Sequence, residues 1–231
     1  MKREEFIQTL EKRGVSLTER QIAQFDQYAS FLAEYNEKVN LTAITAYEEV
    51  LEKHFYDSII PFIGLAEGTL ADVGTGAGFP GVVLKIAFPK LRVILLEPLK
   101  KRCVFLEALI GKLGLEDIEV VNARGEDYSL LHREEYDVVT ARAVSNLNAL
   151  IEVSWAMVKE NGVFVALRGS TGEEEIVRAK KAYTEMGFET EEIREETLPD
   201  GSKRVIGILR KTKKTPKKYP RKYSIIKQKP L

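Results

Sequence analysis

One cysteine, Cys103, and two histidines, His54 and His132, are the only thiol and imidazole groups in this 231-residue chain. A lone cysteine excludes an internal disulfide, and two histidines without cysteine partners make no zinc set, so no metal is expected. Cys103 falls on a predicted helix away from the carboxyl edge of any sheet and reads as a buried thiol. The histidines read as packing or surface residues. No run of about 18 apolar residues occurs, so no membrane span is expected. The opening Met-Lys-Arg-Glu-Glu lacks the apolar core of a secretory leader, and a cytoplasmic address is expected.

Net charge is also zero, but as the sum of two unlike parts. Residues 210–231 hold ten Lys/Arg and no acid, leaving residues 1–209 with 25 bases against all 35 acids, a net of −10. An acidic body with a basic tail points to a polyanionic partner, against the plainer reading of a solvating, disordered end. Tyr219 and Tyr223 lie among the bases and are candidates to stack on nucleobases.

The length suffices for one core with a small accessory unit. Residues 1–64 read as helical: Phe6, Ile7 and Leu10 share a face, Gly14 stops that helix, and Thr18 with Gln21 forms a capping box. A third amphipathic stretch covers 48–63. From residue 65 short apolar strands alternate with helices, as in βαβ units. Strands are predicted at 69–73, 91–97, 117–121, 136–141, 162–167, 187–193 and 203–210. Helices are predicted at 80–88, 99–113, 146–159 and 172–186. Gly111, Gly114, Gly162 and Gly187 are expected at helix ends or turns. Pro199-Asp200-Gly201 is a tight-turn sequence that makes one of the last two strands antiparallel.

Asp72 through Gly81, Asp-Val-Gly-Thr-Gly-Ala-Gly-Phe-Pro-Gly, sits between an apolar strand and a helix pattern. Its glycines allow positive φ and a close approach of ligand to bare backbone, the helix start supplies free N–H groups, and Pro80 suits a first turn. The string also satisfies G-x-G-x-x-G, the dinucleotide pattern. Two features turn the reading toward S-adenosylmethionine. The terminal hairpin belongs to the seven-stranded, Rossmann-like methyltransferase sheet, and Asp72 would repel a diphosphate while orienting the loop and facing a donor ammonium group. The expected class is therefore α/β with an N-terminal helical subdomain: cap 1–64, donor-binding domain 65–209, basic tail 210–231.

Gly74, Gly76 and Gly78 form the candidate donor turn. Glu97 ends the second strand 23 positions after Gly74, near the spacing of about 20 residues expected of a ribose-binding carboxylate, whose two oxygens suit two hydroxyls. Arg124 through Asp127 form a polar loop expected to turn back across the adenine pocket. Arg142 ends the fourth strand at the ligand-binding edge, where it approaches cofactor or substrate or is a plain surface arginine. After that strand stands Ala141-Arg142-Ala143-Val144, not the Asp/Asn-Pro-Pro-aromatic sequence of amine methylation, and no thiolate is placed for pyrimidine C5. A ring nitrogen with a free lone pair fits what remains. Guanine N7 is unprotonated at neutral pH and needs positioning more than a general base, so no catalytic residue is assigned.

Over nearly its whole length the chain resembles the bacterial RsmG (GidB) methyltransferases, which modify guanine N7 in 16S ribosomal RNA. The resemblance rests on Tyr35-Asn36, Asn40-Leu41-Thr42, His54-x-x-Asp57-Ser58, Asp72 through Gly81, and Leu95-Leu96-Glu97. Further along it rests on Lys101-Arg102-x-x-Phe105-Leu106, Arg124-Gly125-Glu126, Ala141-Arg142-Ala143, and Tyr219-Pro220-Arg221-Lys222. It implies a donor site at Gly74, Phe79, Gly125, Glu126 and Arg142, with Glu97 added by spacing. It also implies a guanine in the 530 loop as substrate. The expected partner is 16S rRNA or the small subunit, held by Lys217, Lys218, Arg221 and Lys222, and the protein is expected to be a monomer. Tyr35 stands where relatives often carry Trp, and Arg168 where they usually carry Lys. A methyltransferase for tRNA or a small molecule, and a non-catalytic RNA-binding assembly factor, are the alternatives.

Overall fold

The N-terminal helices begin where their caps dictate. In this computed structural model, which describes residues 1–142 and 147–231, helix α1 spans Arg3–Lys12 and Gly14 follows it with φ of 86°. Helix α2 (Glu19–Asn36) starts at Thr18, whose hydroxyl accepts from the Gln21 N–H while the Gln21 side chain accepts from the Thr18 N–H. Its apolar stripe, Phe25, Tyr28, Ala29 and Leu32, is buried. The third stretch is one continuous rod with a break in its period. Helix α3 (Tyr47–Val50) passes into a π-helical turn, Leu51–Tyr56, and then α4 (Asp57–Ile59). Such wide turns re-aim side chains and recur at functional sites.

Seven strands follow: β1 (Thr69–Val73), β2 (Arg92–Leu96), β3 (Ile118–Val121), β4 (Tyr136–Arg142), β5 (Val158–Arg168), β6 (Phe188–Thr197) and β7 (Lys203–Lys211). Their order is β3-β2-β1-β4-β5-β7-β6, with β7 antiparallel to both neighbours, as the Pro-Asp-Gly turn predicts. Between them run α5 (Gly81–Ala87), α6 (Lys100–Leu113), α7 (Gly125–Leu131), α8 (Leu147–Ser154), α9 (Gly172–Arg178) and α10 (Lys180–Glu185), and the tail ends in α11 (Tyr223–Gln228). The buried cluster on one sheet face is shared with the N-terminal helices, through Phe25, Tyr28, Phe55 and Phe62. The other face packs around Trp155, Phe164 and Phe188.

Several predicted elements are corrected. The start of the predicted helix 146–159 lies outside the described residues, and the helix stops at Ser154. β5 then begins at Val158 rather than residue 162, because Val158 pairs with Tyr136 before a register shift at Lys159–Gly162, where Asn161 takes φ of 68°. Polar residues in that excursion hide the strand start. Gly111 lies within α6, and Gly114 alone makes the left-handed cap. The expected polar loop at 124–127 is the entry to α7.

Candidate donor and acceptor site

The glycine loop is held from below by Asp72. Its Oδ2 accepts from the Thr75 hydroxyl at 2.6 Å and the Gly81 N–H at 2.8 Å, and the side chain is fully buried. Burial pushes its carboxyl up to about 6 against those two hydrogen bonds. Asp72 thus orients the loop as expected through Oδ2, while its Oδ1 is buried without a hydrogen-bond partner. The helix start is corrected too. Gly81 N–H is taken by Asp72 and Val82 N–H by the Gly78 carbonyl, so these donors are not free.

The same holds along the loop. Gly74 and Thr75 N–H groups go to the Leu96 carbonyl, Gly78 and Phe79 to the Thr75 carbonyl, and Gly76 to Glu97 Oε2 at 3.0 Å. A diphosphate needs outward backbone donors. This loop turns them inward over two buried carboxylates, Asp72 and Glu97, which is a poor anion cradle and a compatible one for a cation.

Gly74 has φ of 72°, and a Cβ built there would meet nothing within 4 Å, so the loop opens onto space beside bare backbone. Gly76, with φ of 61°, is similarly open. Gly78 is the opposite case: a Cβ would lie 2.6 Å from the Tyr28 hydroxyl, which donates to the Ala77 carbonyl. Tyr28 therefore supports the loop from the helical cap. In sequence it is one more residue on the apolar stripe of α2, and its hydroxyl is the only sign of the role.

Glu97 does not present both oxygens outward as the spacing suggests. Oε2 accepts from Gly76 and Oε1 from the Leu99 N–H at 2.9 Å, leaving one lone pair on each for a hydroxyl. Cys103 donates to the Glu97 carbonyl at 3.2 Å, so it sits beneath the carboxyl end of β2 and not away from that edge. Burial keeps the thiol protonated.

Gly74, Gly125 and Glu126 come together in a cleft of about 220 Å³ with Val73, Leu150 and Val153. Gly125 is required by space, since a Cβ there would lie 2.8 Å from both Val73 and Val153. Glu126 Oε1 is buried and has no hydrogen-bond partner, with the Arg124 guanidinium 3.8 Å away as its ion-pair partner. An open glycine cradle, an apolar slot and an unsatisfied acceptor fit an adenosyl group, whose ring amine is a donor.

Phe79 and Arg142 lie toward the cap instead. Phe79 stacks on His54 at 4.3 Å and on Tyr28 at 5.6 Å. Arg142 donates to the Lys53 carbonyl at 2.9 Å and the Ser58 hydroxyl at 3.2 Å, and its charge lies 3.6 Å from Asp57. It is thus no plain surface arginine. Arg142, Asp57, Arg168 and Arg204 line a second cavity of about 200 Å³, in which Arg204 pairs with Asp57 at 3.0 Å. The Asp72–Thr140 pair of β1 and β4 brings the two chain exits, at Gly74 and Arg142, side by side.

His54 is no mere packing residue, because the π-helical turn aims it at Arg142 and Phe79. Burial, and then the Arg142 charge, lower its pKa to about 4. The unfolded chain protonates near 6.5, so its contribution is complete above that pH and is lost as pH falls toward 4. Relative to wild type, His54→Gln is expected to gain about 3 kcal/mol between pH 6.5 and 4 in urea titrations. A difference independent of pH would show that His54 titrates normally.

The basic tail is packed, not free. Lys211 is fully buried at the end of β7 and donates to the Val158 carbonyl at 2.7 Å. Tyr219 is buried and donates to Glu185 at 2.5 Å, which removes it as a stacking platform. Arg221 clasps Glu152 on α8 with both ends of its guanidinium, one bond at 2.7 Å, and Lys218 pairs with Glu185 at 2.8 Å. Lys217 and Lys222 are exposed. Among the described residues no helix is long and apolar enough to cross a membrane, and no group of three acidic, histidine or cysteine side chains is placed to hold a metal.

The fold has solved counterparts. A SAM-dependent methyltransferase from Aquifex aeolicus superposes with a TM-score of 0.54 at 20% identity, over 69% of this chain and 92% of that one. The O-methyltransferase from Bacillus cereus in complex with SAH gives 0.57 at 16% identity, over 80% and 91%. Sheet order and these superpositions give the chain the fold of the S-adenosylmethionine-dependent methyltransferases. The family model described as rRNA small subunit methyltransferase G (GidB) matches residues 21–202. Proteins named Ribosomal RNA small subunit methyltransferase G are 47% identical in Bacillus subtilis, over 95% of this chain and 94% of that one, and 45% identical in Lysinibacillus sphaericus over all of both. The chain belongs to this rRNA small subunit methyltransferase G family.

Proposed function

We propose that the protein methylates N7 of a guanine in the 530 loop of 16S ribosomal RNA, acting in the cytoplasm as a monomer. Residues 1–64 serve as a cap, 65–209 as the catalytic domain and 210–231 as a tail that touches RNA. The observation that carries the reading is the arginine-lined cavity at the carboxyl ends of β4 and β5, where β4 is the neighbour of the β1 strand that leads into the donor cleft.

When bound, S-adenosylmethionine supplies an electrophilic methyl group. Gly74 and Gly76 would let it approach backbone, Gly78 and Gly125 allow the close packing that shapes the loop and cleft, Glu97 would accept from its ribose, Glu126 from its base, and Phe79 and Arg142 would close the cap side. The acceptor cavity has one carboxylate, Asp57, already paired with Arg204, and no histidine, lysine or thiol among its described lining. That suits an atom that carries its lone pair without deprotonation. Arginines at its wall can donate to guanine O6, and Asp57 can accept from the N1–H and amino group of the adjoining Watson–Crick edge, so the cavity orients rather than activates. In an A-form helix N7 faces a groove too narrow to enter, which favours flexed or single-stranded RNA.

Labelled donor, small subunits and 16S transcripts, followed by mass-spectrometric mapping, test this directly. The expected product is N7-methylguanosine in the 530 loop. Label on tRNA or a small molecule would replace the substrate, and donor binding without transfer to any RNA would favour an assembly factor. In the tail Lys217 and Lys222 are exposed cations available for phosphate, with Lys218 next to Lys217 and Arg221 serving as anchor. Changing Lys217 and Lys222 to alanine is expected to reduce the slope of log affinity against log salt by about 1.5. An unchanged slope removes them from the RNA contact.

A further inference from the structure

The tail also reaches the donor side of the molecule. Tyr223, the first residue of α11, lines the same cleft as Gly74, Gly125 and Glu126, and is 44% exposed overall. It is held in place by neighbours on both sides. Arg221 grips Glu152, which is fully buried on α8, and Ile226 is fully buried one turn further on. The Arg124 guanidinium lies 5.8 Å from the centre of the Tyr223 ring, fixing the ring from the α7 side. The rest of the slot is aliphatic, from Val73, Leu150 and Val153.

An exposed aromatic ring and aliphatic side chains lining one cleft, with a buried Glu126 oxygen that receives no hydrogen bond, have the chemistry of a purine slot. We infer that the C-terminal tail completes the donor site, with Tyr223 as the stacking wall for the adenine of S-adenosylmethionine. This rests on the donor-cleft reading of Gly74, Gly125 and Glu126. It gives the tail a second task, separate from phosphate contact, because the ring faces the cleft while Lys217 and Lys222 are open to solvent.

The test is equilibrium binding of S-adenosylhomocysteine to the full chain by calorimetry. Tyr223→Ala should weaken binding about tenfold, and Tyr223→Phe should restore it to within about twofold, because the ring face and not the hydroxyl makes the stack. Unchanged affinity in the alanine variant would overturn the proposal, and so would tighter binding, which would make the ring a plug and not a wall. A second readout needs no variant. S-adenosylhomocysteine should slow trypsin cleavage after Lys222 and Lys227, and equal cleavage rates with and without it would count against the tail as part of the site. Failure of the wild-type chain to bind S-adenosylhomocysteine would instead overturn the donor cleft itself, and is seen before any variant is made.

Discussion

Gly74→Val is expected to weaken binding of S-adenosylmethionine by more than about 100-fold while the protein still folds. Two effects act together. At φ of 72° a β-branched residue occupies a backbone region that costs an L-residue about 1–2 kcal/mol. That is an affordable loss for a domain of this size. The larger effect is steric. A Cβ at Gly74 meets no protein atom within 4 Å, so valine methyls would project into the open space where the ligand must lie against backbone. Gly74→Ala places one methyl there and should cost less. Calorimetry with the donor, alongside urea unfolding, separates the two effects, and wild-type affinity in the valine variant would falsify the placement of the donor on this loop.

Arg221→Ala should lower stability by about 3 kcal/mol, a large effect for a residue ten positions from the C-terminus. The reason is its partner. Glu152 is fully buried on α8, and removing the guanidinium leaves a carboxylate without compensation in the interior. Glu152→Gln in the same chain should return part of the loss, since an amide is easier to bury than a charge. Denaturant unfolding of the two single variants and the double variant measures the coupling. A loss under about 0.5 kcal/mol would mean that the tail is detached in solution. Truncation before Lys211 is a poor probe of the tail, because it also removes a buried lysine from β7.

Much of the architecture is legible in local signals. The Thr18–Gln21 capping box, the stop at Gly14 and the Pro199-Asp200-Gly201 turn each act over a few residues, and the elements they bound form where they place them. The start of β5 was hidden because Lys159 through Gly162 carry turn chemistry inside a strand that long-range pairing with β4 still holds together. Within the site, the glycine turn and Gly125-Glu126 are readable because close approach of a ligand demands glycine or a specific acceptor at a fixed place in the chain. Tyr28, His54, Asp57 and Arg204 are not readable in that way, since each works through a partner tens of residues distant.

The tail shows the division most clearly. Composition alone establishes ten positive charges in its 22 residues, and with them the attraction to a polyanion, because charge is additive and needs no fold. Order, by contrast, came from elsewhere in the chain: Glu152 and Glu185 on α8 and α10 hold Arg221, Lys218 and Tyr219, and so leave Lys217 and Lys222 outward and turn Tyr223 onto the cleft. Periodicity, turns and net charge are properties of neighbours in sequence. Which side chains are consumed as anchors and which remain for ligands depends on buried partners that only tertiary packing brings within reach.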